Sequence, residues 1–370
     1  MIGLVDSTLR EGAQASARYL TAAQRGAVLA GLVRVGVEEI EVGHIVTTPG
    51  YGLSSPEELL DLAADVAPGV RRAVWCRARA EDIERAAALG PEVVSFALPV
   101  SDLHLAQRLR WSRGQALEQV GRLVGLTREV GVGYVSIGLE DATRADPAFL
   151  DRVVAAAAAA GADRVRIADT TGVAGPGELV DLVRRVRAGF GGHVGVHVHD
   201  DFGMATAGAV AALEAGADWA DVSVTGLGER AGISRTEEVT AWLVTRRGAD
   251  YDVRWARELA VRLSGWVGRA VPRHAPVIGP DVFACESGLH LAGLIADPAT
   301  YEPYPPELVG AERRWRLGQG SGRAAVAALA PHAGWDPTEA AARVRRLAVE
   351  RGRALGPGEW QEALRPPGPN

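Results

Sequence analysis

The sequence of 370 residues contains no lysine, so all 40 of its basic residues are arginine. Without a lysine amine, a Schiff base with a carbonyl substrate or with pyridoxal phosphate is excluded. Asparagine is confined to Asn370, and this joint depletion marks a bias of the whole composition. The only cysteines are Cys76 and Cys285, too few and too far apart for a disulfide framework or a cysteine-rich zinc site, and both read as structural thiols. Basic runs that could neutralise a row of phosphates are missing, and the net charge is a modest −6, so neither nucleic acid nor a membrane surface is expected as a partner. No apolar run approaches the ~18 residues of a membrane span, and Asp6, Arg10 and Glu11 interrupt the first twenty residues where a signal peptide needs apolar sequence. The expectation is a cytoplasmic protein acting on small molecules.

What is present is ample core material, 47% hydrophobic against 23% charged, in a regular alternation. Eight short β-branched runs can be counted: Ile2 to Ser7, Glu39 to Gly43, Arg72 to Cys76, Val93 to Leu98, Tyr134 to Leu139, Arg164 to Ala168, His193 to His199 and Ala220 to Thr225. Ala/Leu/Arg-rich helical stretches separate them, one opening with Asp146 as N-cap and Pro147 at the first helical position. Strand and helix alternating eight times predict an α/β fold, a TIM (β/α)8 barrel over residues 1–250. An open doubly wound sheet would carry a glycine-rich phosphate loop after its first strand, and none follows Ser7. From residue 251 to 370 the alternation is lost, Trp, Pro and Arg rise, and a mostly helical C-terminal subdomain is expected, with a frayed tail from Arg365.

In such a barrel the active site lies at the carboxyl ends of the strands. Polar clusters occupy those ends here: Asp6 to Gly12, Glu140-Asp141, Asp169-Thr170 and His197 to Asp201. Residues i and i+2 of a strand share a face, so His197 and His199 point into the barrel mouth together. Two imidazoles on one face beside acidic residues suit a divalent metal. A carboxylate from another strand, Glu11 or Asp6, completes two His and one acid with positions left open for substrate. Zn, Mn and Mg all remain open as the metal.

These residues carry a resemblance that covers almost the whole chain. Asp6-Ser7-Thr8-Leu9-Arg10-Glu11-Gly12, His197-Val198-His199 and Gly226-Leu227-Gly228-Glu229-Arg230-Ala231-Gly232 resemble the motifs of the metal-dependent DRE-TIM acyl-CoA condensing enzymes and lyases. Glu286 to His290, Asp297 to Glu302 and Gly318 to Arg323 look like the C-terminal region of the homocitrate and isopropylmalate synthases, which the lyase and aldolase branches lack. Trp75 to Ala78 and Leu98 to His104 are most similar to homocitrate synthases of the nitrogen-fixation type. The resemblance implies Glu11, His197 and His199 as metal ligands, Arg10 as the cation beside the reacting carbonyl, Glu140 as a positioning or protonating group, and Thr170 as a binder of the substrate carboxylate. It further implies that His290 and Tyr301 act on the acyl-CoA and reach the active site of a partner subunit in a homodimer. The expected reaction is a Claisen-type condensation of acetyl-CoA with a 2-oxo acid, 2-oxoglutarate giving homocitrate, with CoA released. Phosphonopyruvate or 2-oxoisovalerate are alternative acceptors, and a metal-dependent lyase or aldolase is a more distant reading.

Departures from the pattern bear on substrate. Asp200 and Gly208 stand where the family usually has Asn, and Ile233 replaces an Asn of the isopropylmalate synthases. Cys285 and Gln319-Gly320 stand where His and Lys-His are usual, which touches the acyl-CoA end. Ser136 takes the place of an Arg that reads the distal carboxylate in lysine-pathway enzymes, leaving Arg77 and His44 as candidates to bind the acceptor's far end.

Overall fold

The computed structural model describes residues 2–15, 18–45, 56–286, 288–330 and 335–365; Ser287 and the tail from 366, read as frayed, lie outside them. Eight parallel strands, β1 (Gly3–Asp6), β2 (Glu39–His44), β3 (Arg71–Arg77), β4 (Val93–Pro99), β5 (Tyr134–Glu140), β6 (Arg164–Asp169), β7 (His193–Val198) and β8 (Trp219–Val222), follow one another around a closed barrel. Closure comes from β1 lying on β8, Gly3 opposite Trp219 and Asp6 opposite Val222. Around it run α1 (Ala22–Val35), α2 (Pro56–Val66), α3 (Ala80–Ala88), the single turn α4 (Asp102–His104), α5 (Arg113–Glu129), α6 (Pro147–Ala159), α7 (Pro176–Gly189), α8 (Ala205–Glu214), α9 (Thr236–Arg247) and α10 (Val253–Val267). Local chemistry sets these boundaries. Asp146 accepts the Phe149 N–H at 2.8 Å to start α6, and a Thr21–Gln24 capping box starts α1.

The barrel is apolar on the outside of its strands and charged within. Ile40, Val42, Val165, Ile167, Val194 and Val196 are buried on the face opposite their charged neighbours, which is the face turned to the helices. Inward positions carry Glu39 and Glu41, Arg164 and Arg166, His197 and Asp221, where barrels of this class usually stack branched hydrophobics. At the amino-terminal end Arg164 reaches Glu39 (Nη2 to Oε1, 2.6 Å) and donates to Ser136 (3.0 Å). Arg71 joins Glu39 from β3 at 3.0 Å and lies 4.1 Å over the Tyr134 ring and 5.1 Å from that of Trp219.

The first compact unit runs to Ala270, past the boundary near 250 suggested by the sequence. The reason is α10, which packs on α1 and is entered by the Asp252 N–H bonding the Val35 carbonyl at 2.9 Å. The second unit, Val271–Asn370, joins a short parallel pair, β9 (Ala284–Cys285) and β10 (Arg314–Trp315), to α11 (Gly288–Ala296), α12 (Arg323–Leu329), α13 (Pro337–Arg351) and α14 (Pro357–Ala363). Its own core contains Leu291, Leu317, Val326, Val344, Leu355, Trp360 and Leu364.

The eighth strand stops at Val222, short of the expected Thr225, because the chain turns there under strain. Thr225 has φ of 62°, and its N–H donates to Glu237 Oε2 at 3.0 Å. The following loop closes where Gly232, at φ 95°, passes Gly226 so closely that a Cβ would sit 1.8 Å from the Gly226 carbonyl oxygen. Gly232→Ala is therefore expected to cost about 3 kcal/mol or more, strain and clash together, read as a lowered urea midpoint.

Burial pushes the Glu237 carboxyl up to about 7 from 4.5. Between those values the unfolded chain has lost a proton that the folded chain keeps, so stability falls as pH rises through that window, by on the order of 3 kcal/mol in all. Glu237→Gln removes the titration. Urea unfolding at pH 5 and pH 8 is expected to show a smaller loss of stability at pH 8 in the variant than in the parent chain.

Candidate active site

At the mouth of the barrel the segment Asp6 to Glu11 folds back on itself, the N–H groups of Arg10 and Glu11 both bonding the Ser7 carbonyl. Asp6 spends its oxygens on this turn: Oδ1 accepts the Thr8 N–H at 2.9 Å and Oδ2 the Thr236 hydroxyl at 2.7 Å. Burial, with Glu41 adding to it, raises the Asp6 carboxyl to about 6. Asp6 is thereby a loop fastener, and Glu11 is the acid turned toward the imidazoles.

Arg10 and Glu11 form a buried ion pair, and Arg10 Nε also donates to Glu41 Oε2 at 2.7 Å. Burial opposes the charge of Arg10, but Glu41 and Glu11 outweigh it and its pKa rises. For Glu11 burial acts upward, and Arg10, the two histidines and the Glu229 N–H (3.2 Å) bring the carboxyl down to about 2. Arg166 then bridges two strands, its Nη1 lying 2.8 Å from Glu41 Oε1 and 2.8 Å from Asp221 Oδ2. The same Asp221 oxygen stands 2.8 Å from His197 Nδ1. One chain of charges thus connects Arg10 to His197 through Glu41, Arg166 and Asp221.

His197 and His199 face each other with Nε2 atoms 3.3 Å apart and rings at 73°. Asp221 fixes the proton of His197 on Nδ1, which leaves its Nε2 lone pair directed at His199. His199 Nδ1 is buried without a hydrogen-bond partner. Burial and then His197 push His199 down to about 3, so it is neutral at ordinary pH. A neutral imidazole beside a second inward lone pair and an ionised carboxylate is the donor set for a divalent cation. Among the described residues no three acidic, His or Cys side chains already stand as a closed metal cage, since Glu11 is turned to Arg10. With the His199 proton on its orphaned Nδ1, the two Nε2 lone pairs face one another and fit a metal, and Glu11, His197 and His199 are the residues that could hold it.

His44 reaches this site by a device invisible in its sequence. Between Glu41 and Gly43 the register of β2 against β3 shifts by one, so His44 rather than Gly43 lies opposite Trp75, on the inward side. Burial, and then Arg10, lower its pKa. Arg77 instead holds Asp82 with two bonds of 2.6 and 3.1 Å, so any anion it reads must share it. On the rim Glu140 takes an ion pair from Arg108 and lies 3.1 Å from His104 Nδ1, while Arg144 grips Asp141 at 2.8 and 2.9 Å. Thr170 Oγ1 accepts the Asp141 N–H at 2.8 Å. In the second unit the rings of His290 and Tyr301 lie side by side, centroids 4.3 Å apart.

Sequence reasoning missed Glu41, Arg166 and Asp221. The signal was available: strands buried on both faces read as continuous apolar runs, whereas Glu39-Ile40-Glu41-Val42 and Arg164-Val165-Arg166-Ile167 alternate charge with hydrocarbon.

An eight-stranded barrel with a polar, metal-competent mouth defines a TIM-barrel enzyme, and comparison narrows the class. A family model described as HMGL-like matches residues 1–262, and one described as homocitrate synthase post-HMGL domain-like matches residues 277–350. A homocitrate synthase of Frankia alni is 39% identical over 88% of this chain and 92% of its own length. A 2-phosphonomethylmalate synthase of Streptomyces rubellomurinus is 35% identical over 95% of each chain. The hydroxymethylglutaryl-CoA lyase structure from Pseudomonas aeruginosa superposes with a TM-score of 0.64 over 73% of this chain and 94% of that one, at 22% identity, a likeness of fold. The chain belongs to the HMGL-like family, in its homocitrate synthase-type group of acyl-CoA:2-oxo acid condensing enzymes.

The buried chain of charges sets an expectation for stability. Arg166→Met leaves Asp221 without its arginine and Glu41 with Arg10 alone, and a loss of roughly 3–5 kcal/mol is expected in urea unfolding. Glu41→Gln in the same chain should recover part of it, a coupling of about 1 kcal/mol or more in the double-mutant cycle.

Proposed function

We propose that this enzyme condenses acetyl-CoA with 2-oxoglutarate to give homocitrate, and that Glu11, His197 and His199 hold the divalent metal that polarises the keto group. The observation that carries the reading is the pair of imidazoles with Nε2 atoms 3.3 Å apart beside the Arg10–Glu11 ion pair. The metal, when bound, supplies Lewis acidity at the acceptor's carbonyl oxygen. Arg10 gives that oxygen a fixed positive charge that needs no proton transfer as negative charge develops. Thr170 accepts one hydrogen bond from Asp141 and keeps its hydroxyl proton to donate to the acceptor's carboxylate. Glu140, on the rim with Arg108 and His104, orients groups there, and His44 and Arg77 read the acceptor's far end.

His290, paired with Tyr301, takes the proton from the carbon next to the thioester. The electron pair released from that C–H bond forms the new C–C bond to the keto carbon, and the carbonyl π pair goes to its oxygen. Water then cleaves the thioester, leaving a carboxylate and free CoA thiol. In this reading a homodimer brings His290 and Tyr301 of each copy to the barrel of the other. A second acceptor, phosphonopyruvate, is supported by the related phosphonomethylmalate synthase.

Thiol release measured across a panel of 2-oxo acids tests this, with 2-oxoglutarate expected to give the highest kcat/KM. A higher value for phosphonopyruvate selects the second acceptor, and silence with every acceptor removes the condensing reaction. Chelation is expected to abolish turnover and a divalent cation to restore it. His197→Ala should lose about 100-fold or more in kcat together with its bound metal in elemental analysis.

A further inference from the structure

The second unit contains a cavity beside the His290–Tyr301 pair. Its volume is about 270 Å³, and its walls include Phe283, Ala284, Cys285, Leu294, His290 and Tyr301. A pocket of this size approaches the lower end of small-molecule sites, roughly 300 Å³, whereas a methyl group fills about the ~30 Å³ share of a single water. The lining is largely hydrocarbon and includes no arginine. Its one carboxylate, Glu302, is neutralised by two bonds from Arg313 at 2.8 and 2.7 Å. An anionic acceptor therefore finds no charge to meet there, and an apolar group does.

The polar edge of the cavity is the His290–Tyr301 pair. Tyr301 rests on α11 at Gly293, where a Cβ would lie 2.5 Å from its ring, and this close approach sets it against His290 one turn earlier. Opposite, Ala284 and Cys285 are fixed by their pairing with Arg314 and Trp315, and Cys285 packs on the core of the unit. The small side chains at 284 and 285 leave the space open.

We propose that this cavity receives the hydrocarbon tail of acyl-CoA thioesters longer than acetyl, giving the enzyme a second activity with short-chain donors such as propionyl-CoA and butyryl-CoA. The inference rests on the reading of His290 as the base. With His290 at the carbon that loses its proton, a substituent on that carbon extends into the adjoining apolar space. Electron flow is that of the acetyl reaction: the C–H pair becomes the C–C bond, the proton goes to His290, and water releases the CoA thiol. The product carries the tail as a branch beside the new bond.

The test measures donor binding by titration calorimetry on the intact protein, and thiol release with product mass, for acetyl-, propionyl- and butyryl-CoA. Binding is expected to tighten about fourfold per added methylene, the equivalent of about 0.8 kcal/mol per buried CH2, with branched products of the matching mass. Ala284→Leu, which fills the space, should weaken butyryl-CoA at least fivefold more than acetyl-CoA, and Val282→Ala should favour the longer donor. Turnover with acetyl-CoA alone, and no gain in affinity with chain length, overturns the second activity while leaving the condensing function intact. Absence of thiol release with every donor removes the condensing function, and the binding series and its response to Ala284→Leu then decide whether the cavity takes the tail.

Discussion

The mouth of this barrel depends on one buried arginine. Arg166 lies between Glu41 and Asp221 at 2.8 Å from each, and these two carboxylates orient Arg10 and His197. Burial opposes its charge, yet Asp221 and Glu41 outweigh burial and hold its pKa above the usual arginine value. Glu41 is held well below the carboxylate range by Arg10 and Arg166 in spite of its burial. Neither side of the site can therefore titrate or turn without disturbing the other. A hydrogen-bonded carboxylate behind an imidazole fixes which nitrogen is left to coordinate, and here that carboxylate is itself fixed by an arginine shared with the opposite wall.

This arrangement explains the rest of the barrel interior. Charged groups can replace branched hydrophobics as filler only if every one is paired, because an unpaired buried charge costs several kcal/mol. Arg10, Arg71, Arg164 and Arg166 meet Glu11, Glu39, Glu41 and Asp221 in close ion pairs, four of each sign. Apolar cohesion is moved outward, to the strand faces packed under the helices, so the charged interior can be specialised without weakening the shell that encloses it.

The eight strands and their order, the His197/His199 pair and the helix caps were legible because each is a local pattern with a fixed period or a fixed turn chemistry. Less legible was whatever depends on a partner distant in sequence. The one-residue register shift in β2 changes which of Gly43 and His44 faces inward, and a shift is a property of two strands together. Arg77 looked available from its strand position, but Asp82 in the first turn of α3 holds it. The unit boundary moved to Ala270 because α10 is covered by α1, more than two hundred residues earlier in the chain. The alternating charges of β2 and β6 were visible in the sequence, but their meaning depends on the barrel closing, which brings Glu41 within reach of Arg166.

The absence of lysine acquires a structural sense at this point. A guanidinium presents a planar fork of donors and stays charged at any accessible pH, so one arginine can hold two carboxylates from different strands in a fixed geometry. Arg166 does so with Glu41 and Asp221, and Arg10 with Glu11 and Glu41. An ammonium is a hydrated point charge whose pKa falls readily on burial, and in Arg166's place it would be free to neutralise and release both carboxylates.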